Sequence, residues 1–125
     1  MTIPIRKRGI YWIPDTAVNL PPLAGTARTL HPQRPFLVVS NDNDNARDEW
    51  LIVLGFPLST SDEFRSPYDV LLAAGTANLP EDSWVRIPLL QPIAKTKISS
   101  DIGSVDSGIM ERCFGQLLRY ADELH

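Results

Sequence analysis

The chain has 125 residues, 43% hydrophobic and 22% charged, and twelve Lys and Arg against fifteen Asp and Glu leave a net charge of −3. That size suits one domain with a real core, and the composition excludes a disordered chain, while a single cysteine, Cys113, excludes an internal disulfide framework. Eleven prolines and seven glycines point to many turns and away from a helical bundle, and no apolar run approaches the ~18 residues of a membrane span.

The start, Met1 to Gly9, carries the basic cluster Arg6-Lys7-Arg8 without an apolar stretch behind it, so no secretory leader is expected. A reducing, cytoplasmic setting follows as the expectation. Ile10-Tyr11-Trp12-Ile13 follows Gly9 and is rich in β-formers, which predicts a first strand ended by Pro14-Asp15. Residues 15–33 then read as a long loop punctuated by Pro21-Pro22, Gly25 and His31-Pro32. Loops of that length in small domains usually carry function.

Phe36–Ser40 and Trp50–Phe56 are continuous apolar runs, closed by the polar run Asn41–Asn45 and by Pro57 respectively. They predict adjacent core strands. The Asn/Asp run reads as a solvated turn, because the glycine and closing glutamate of a calcium loop do not follow Asp42 and Asp44 at the right spacing. Asp62–Ser66 reads as loop, Tyr68–Leu72 as a further strand, and Leu79–Asp82 as a turn. Ser83–Ile87 alternates polar and apolar, and Leu89–Ile93 continues it as a bent strand beyond Pro88.

The last stretch changes period. Ile109, Cys113, Leu117 and Ala121 recur every four residues, with Met110, Phe114 and Leu118 in the adjacent row. They make one apolar stripe of a helix whose expected N-cap is Asp106. The reading is therefore five or six strands and one C-terminal helix, in a single domain over residues 1–125.

Charge is uneven along this order. Residues 1–41 hold five basic groups and one acid, whereas residues 42–63 hold six acids and one basic group. Arg6, Lys7, Arg8, Arg28 and Arg34 could form a local basic surface of the kind that nucleic acid needs, although solvated surface charge accounts for such residues equally simply. Two histidines and one cysteine cannot build a tetrahedral zinc site, and no Gly-rich phosphate loop or nucleophile elbow is present. No cofactor is implied. Cys113 lies in the apolar helix stripe, where a buried packing role is expected.

Three stretches carry a resemblance: Arg8-Gly9-Ile10-Tyr11-Trp12, then Gln33-Arg34-Pro35-Phe36-Leu37-Val38-Val39-Ser40-Asn41-Asp42, then Phe56-Pro57-Leu58-Ser59-Thr60. Leu79–Val85 and Ile102–Asp106 add two more in the same order. Together they resemble the MazF/PemK/Kid toxins of bacterial toxin–antitoxin pairs over nearly the whole chain. The resemblance implies a mainly β fold, a small bent barrel of the CcdB/PemK kind with a C-terminal helix. It also implies a homodimer, a cognate antitoxin partner, and metal-independent cleavage of single-stranded RNA. In that chemistry the ribose 2′-OH attacks the adjacent phosphate and leaves a 2′,3′-cyclic phosphate and a 5′-OH.

Arg34 matches the family's catalytic arginine in its Arg-Pro pair, and Ser59 the hydroxyl residue that follows Pro-Ile or Pro-Leu, with Thr60 next to it. A guanidinium fork suits phosphate oxygens, and its very high pKa suits it to stabilising charge rather than taking a proton. A serine hydroxyl can donate to the same phosphate. His31, the internal side chain of a type that exchanges protons near neutrality, is the general acid/base candidate. Arg8, Arg28, Gln91, Lys95 and Lys97 are candidate RNA contacts.

The chain departs from the family pattern in one segment. Where relatives carry Gln-x-Arg-Thr-Ile-Asp, this chain has Gln91-Pro92-Ile93-Ala94-Lys95-Thr96, with Ile93 at the arginine and Thr96 at the aspartate. This leaves open a non-cutting module that binds RNA or an antitoxin on the same fold. A gyrase poison like CcdB ranks lower, because that family's Trp-Gly-Ile end is not matched by Ala121–His125.

Overall fold

The computed structural model describes residues 3–21, 31–61 and 66–122. Arg28 and most of the Asp62–Ser66 loop fall outside them. Among the described residues there are seven strands: β1 (Gly9–Pro14), β2 (Gln33–Val38), β3 (Ile52–Ser59), β4 (Val70–Leu72), β5 (Ser83–Val85), β6 (Gln91–Ala94) and β7 (Ser100–Ser104). Two α-helices accompany them, a short α1 (Asp42–Ala46) and the C-terminal α2 (Ser107–Tyr120). The sheet runs β4-β5-β3-β2-β1-β7, with β6 also paired to β3.

β3 organises the sheet. One edge pairs antiparallel with β2 (Phe36↔Pro57, Val38↔Gly55). The other edge is shared: its first half pairs with β6 (Ile52↔Ala94, Gly55↔Gln91) and its last residues with β5 (Leu58↔Val85, Ser59↔Trp84). Gly55 sits at the change of partner. A Cβ there would overlap the Leu37 carbonyl and the Phe36 ring, so the close approach of β2 to β3 needs the missing side chain.

Alternation along the strands gives two cores on opposite faces. One face buries Ile10, Leu37, Phe56, Leu58, Val70, Leu72 and Val85 together with Met110 and Cys113 of α2. The other buries Tyr11, Ile13, Phe36, Val38, Val53, Ile93 and Ile98, closed by Val18 and Leu20 from the chain after β1.

α2 begins where the sequence places it. Asp106 accepts a hydrogen bond from the Ile109 N–H at 2.8 Å as N-cap. Met110 and Cys113 are buried, and Ile109, Phe114 and Leu117 pack against them. The stripe is narrower than expected: Leu118 and Ala121, at its C-terminal end, are exposed.

Two elements differ from the sequence reading. The Asn/Asp run, expected as a solvated turn, is a short helix with Asn45 buried, and Asn41 caps it by accepting from the Asp44 N–H. Lys95 closes its other end, donating from Nζ to the carbonyls of Asp44 (2.7 Å) and Arg47 (2.8 Å). β7, Ser100–Ser104, is a polar edge strand that lacks an apolar alternation. It pairs with β1 through an irregular register between Ile10 and Tyr11. No described helix is long and apolar enough to cross a membrane.

Candidate active site

Arg34 enters the site from the start of β2. The pairing of β2 with β3 ends at Phe36↔Pro57, and two residues before it Arg34 Nη1 still reaches the carbonyl of Leu58, the neighbour of Ser59. The pairings give two short rows, Ile13 and Arg34 across β1 and β2, and Ser59, Trp84 and Leu71 across β3, β5 and β4, which meet at the bond from Arg34 to the Leu58 carbonyl. Directly opposed side chains in such a row have Cβ atoms roughly 5 Å apart.

The Arg34 side chain is 9% exposed and held at two points. Its Nε donates to Asp15 Oδ1 at 2.7 Å, and its Nη1 donates to the Leu58 carbonyl at 2.7 Å. Asp15 is fully buried in a 3-10 turn that follows β1, and its other oxygen accepts the His31 backbone N–H at 2.7 Å. One carboxylate thus fixes the guanidinium plane and ties down the strand entry that carries Arg34. Its negative charge also offsets the arginine's, so the pair contributes direction more than net positive field.

Ser59 is the last residue of β3 and half-buried. Its Oγ accepts from the Ser61 N–H at 3.2 Å, which leaves the hydroxyl proton to be donated outward. Thr60, next in sequence, is exposed beyond the strand. His31 is exposed, three residues before Arg34, with its backbone anchored on the carboxylate that holds Arg34.

A second buried ion pair backs the row. Arg86 Nε lies 2.9 Å from Asp69 Oδ2, with the Asp69 side chain fully buried. Asp69 also accepts from the Ser66 hydroxyl (2.8 Å), the Ser66 N–H (2.9 Å) and the Ile87 N–H (3.1 Å). The Arg86 N–H donates to the Pro57 carbonyl at 3.0 Å. Together these bonds join β5 to the segment before β4.

The other candidates are scattered. Gln91 is committed within the fold: its Oε1 accepts from the Asn19 N–H (2.8 Å), and its Nε2 donates to the carbonyls of Asn19 (3.1 Å) and Leu89 (3.0 Å). It clamps the segment after Asp15 rather than facing solvent with free donors. Lys95 is occupied at α1, beside the start of β3, and seven residues of strand at roughly 3.3 Å each separate that end from Ser59. Lys97 is exposed, two residues before Ser99, whose hydroxyl donates to the Trp12 carbonyl at 2.9 Å and accepts weakly from Gln33 Nε2 at 3.5 Å. Lys97 shares a 3-10 turn with Lys95.

Arg8 is not with Arg34 either. It turns the chain into β1 at a φ of 73°, its N–H donating to the Val38 carbonyl at 2.8 Å. With Lys7 it lines a groove of about 650 Å³ along α2, beside Met110, Phe114 and Leu118. Ile93, at the position of the family's arginine, is buried in the second core.

The motif singles out Arg34 and Ser59 as candidates, and nothing in the sequence signals the partners that Asp15, Asp69 and Trp84 take in the fold. Asp15 after Pro14 reads as turn chemistry, and its meaning depends on Arg34, nineteen residues later. Trp84 reads as one residue of an alternating strand until the register sets it beside Ser59.

Comparison with known proteins bears on this arrangement. Residues 6–120 match the model of the PemK-like, MazF-like toxins of type II toxin–antitoxin systems. The endoribonuclease MazF6 of Mycobacterium tuberculosis is 28% identical over 118 residues, covering 94% of this chain and 97% of that protein. Endoribonuclease MazF2 of Mycobacterium bovis matches to the same extent. Among solved structures, the M. tuberculosis toxin MazF-mt6 superposes with a TM-score of 0.68 at 17% identity, covering 94% of this chain and all of that one. A MazE–MazF structure from Deinococcus radiodurans gives 0.69 at 12% identity, over 98% and 99% of the two chains. A mycobacterial endoribonuclease in complex with its cognate antitoxin gives 0.66 at 16% identity, over 98% and 97%. These structures share the fold.

Proposed function

The chain belongs to the PemK-like, MazF-like toxins of type II toxin–antitoxin systems, and on that footing we propose that it is a toxin endoribonuclease that cuts single-stranded RNA at Arg34 and Ser59. The observation that carries the proposal is the fixed guanidinium. Arg34 is held by Asp15 and the Leu58 carbonyl, and the residue after Leu58 is a serine whose hydroxyl can donate.

The reaction needs three things from the protein. The ribose 2′-OH must lose a proton as its oxygen bonds to phosphorus. The phosphoryl oxygens must be stabilised as charge builds on them. The 5′-oxygen must gain a proton as its bond to phosphorus breaks. Arg34, through the N–H groups that Asp15 and Leu58 leave, and Ser59, through its O–H, supply the second. His31 is the proton carrier, delivered to the site by the chain that Asp15 anchors. The products are a 2′,3′-cyclic phosphate and a 5′-OH. The 2′-OH selects RNA over DNA because it is itself the nucleophile. No step in this scheme calls for a metal ion.

The toxin acts in the cytoplasm as a homodimer and is neutralised by a cognate antitoxin whose acidic segment covers basic surface. The basic cluster at the start of the chain, Arg6, Lys7 and Arg8, supports such a contact. Induced expression should arrest growth, and both Arg34→Ala and co-expression of the antitoxin should relieve the arrest. Full arrest by a folded Arg34→Ala protein would remove Arg34 from the mechanism.

One observation favours the non-cutting alternative. The buried Ile93 replaces the arginine of the family's Gln-x-Arg segment, and neither Lys95 nor Lys97 provides its two-pronged contact.

A further inference from the structure

We propose that Trp84 is a base-stacking platform beside the scissile phosphate, holding a nucleotide that flanks the cut bond. The inference rests on the endoribonuclease reading above and adds to it a residue that the family pattern does not supply. The matching stretch of the family is Leu-Pro-x-Asp-Ser-Val-Val, whereas this chain reads Leu79-Pro80-Glu81-Asp82-Ser83-Trp84-Val85.

The register makes the placement specific. Ser59 and Trp84 are direct cross-strand partners, and Trp84 is in turn opposite Leu71. Ser59, Trp84 and Leu71 therefore follow one another across one row, a hydroxyl, a flat aromatic and an apolar rim, with the Arg34 guanidinium bonded to the Leu58 carbonyl next to Ser59. Successive phosphates along single-stranded RNA are separated by about the span of one or two such steps, so a phosphate at Arg34 and Ser59 carries its neighbouring base to the indole.

Burial agrees. The neighbours of Trp84 on the strand, Ser83 and Val85, are buried on the opposite face, yet Trp84 is partly exposed and Leu71 is 43% exposed. The strand beneath it is rigid: Arg86 is bonded to Pro57 through its backbone and paired with buried Asp69 through its side chain. A platform fixed in advance loses little freedom on binding, and an aromatic face accepts any base.

The test uses an RNA oligonucleotide spanning a cut site mapped with the wild-type protein. A 2′-O-methyl group on the attacking nucleotide prevents cleavage. Affinity is read by fluorescence anisotropy for wild type, Trp84→Leu and Trp84→Phe, with circular dichroism confirming the fold. We expect Trp84→Leu to bind roughly 5- to 100-fold more weakly, the range of one lost stacking contact, and Trp84→Phe to recover most of that loss. Repeating the series with an abasic residue on one side of the cut, then the other, should abolish the difference between wild type and Trp84→Leu at one position. The kcat of saturated Trp84→Leu should change less than its KM. Equal affinity of wild type and Trp84→Leu, or a deficit unchanged by both abasic probes, overturns the platform while leaving the nuclease standing. A wild-type protein that neither binds nor cuts RNA overturns the nuclease reading, and the platform with it.

Discussion

Arg34 and Asp15 form a buried ion pair, with Nε 2.7 Å from Oδ1 and the carboxylate side chain fully enclosed. The second carboxylate oxygen is bonded to the His31 N–H, so the pair links the arginine to the chain that leads into β2. Asn at position 15 keeps the shape but offers one acceptor oxygen where two donors converge. Leaving a buried charge unpartnered costs about 3–5 kcal/mol. Asp15→Asn should therefore lower the melting temperature and reduce RNA cleavage at least tenfold, mainly in kcat. Thermal unfolding followed by circular dichroism and single-turnover cleavage would show both effects. Normal cleavage by a destabilised variant would leave Asp15 with a structural role alone.

Arg34→Lys separates charge from geometry. An ammonium is a point charge and cannot hold Asp15 and the Leu58 carbonyl while also presenting a planar fork to a phosphate. The variant should fold better than Arg34→Ala, since it keeps a cation beside Asp15, and yet cut RNA more than 100-fold more slowly. Cleavage rates and urea unfolding of the two variants side by side test this.

Gln91 bonds both the N–H and the carbonyl of Asn19. Its removal should loosen the segment from Asp15 to Leu20 rather than erase an RNA contact. Gln91→Ala is expected to cost about 1–2 kcal/mol and to speed amide hydrogen exchange at Asn19. The salt dependence of RNA binding should stay the same. A reduced salt slope would mean that Gln91 shapes the phosphate path after all.

The two lysines should behave differently. Lys95 caps α1, so Lys95→Ala should destabilise the protein by about 1 kcal/mol with RNA affinity nearly unchanged. Lys97 is exposed, whereas the ammonium of Lys95 is bonded within the fold, so as an RNA contact its loss in Lys97→Ala should weaken binding and lower the salt slope by about one. Affinity measured from low to moderate salt distinguishes them.

Cys113 is fully buried between α2 and the sheet, and burial pushes its thiol up to about 11 from an ordinary value of 9.0. The folded chain therefore holds this proton after the unfolded chain has released it. The sign follows: the contribution is fully present below pH ~9, and stability falls as pH rises from ~9 toward ~11, by at most about 1.4 kcal/mol per pH unit. Cys113→Ala should show a shallower loss over that window, with other alkaline groups common to both proteins. The native thiol should also resist alkylation at neutral pH.

Most of the sheet was legible because its strands bury apolar side chains. Ile10–Ile13, Phe36–Ser40 and Trp50–Phe56 announce themselves, and the observed strands shift their ends by a few residues. Bonds that close over long sequence distances were not legible. α1 depends on Lys95, about fifty positions away, and β7 is polar because it forms an edge of the sheet. In the site, Arg34 and Ser59 were legible as motif residues, whereas Asp15 and Trp84 gain meaning from their partners. Gln91 and Lys95 also show what a sequence does not reveal: a charged or amide side chain does not say which backbone groups it already serves.

The central claim is that the Arg34–Ser59 site cuts RNA through the 2′-OH. The direct measurement mixes purified protein with a long single-stranded RNA in EDTA, alongside an all-DNA copy and the Arg34→Ala protein, and analyses the new ends. The account predicts cutting of RNA alone, undiminished by EDTA, giving 5′-OH and 2′,3′-cyclic phosphate ends and lost in Arg34→Ala. Intact RNA after hours with a folded wild-type protein would contradict it and turn the site, with Ile93 in place of an arginine, into a surface that binds without cutting.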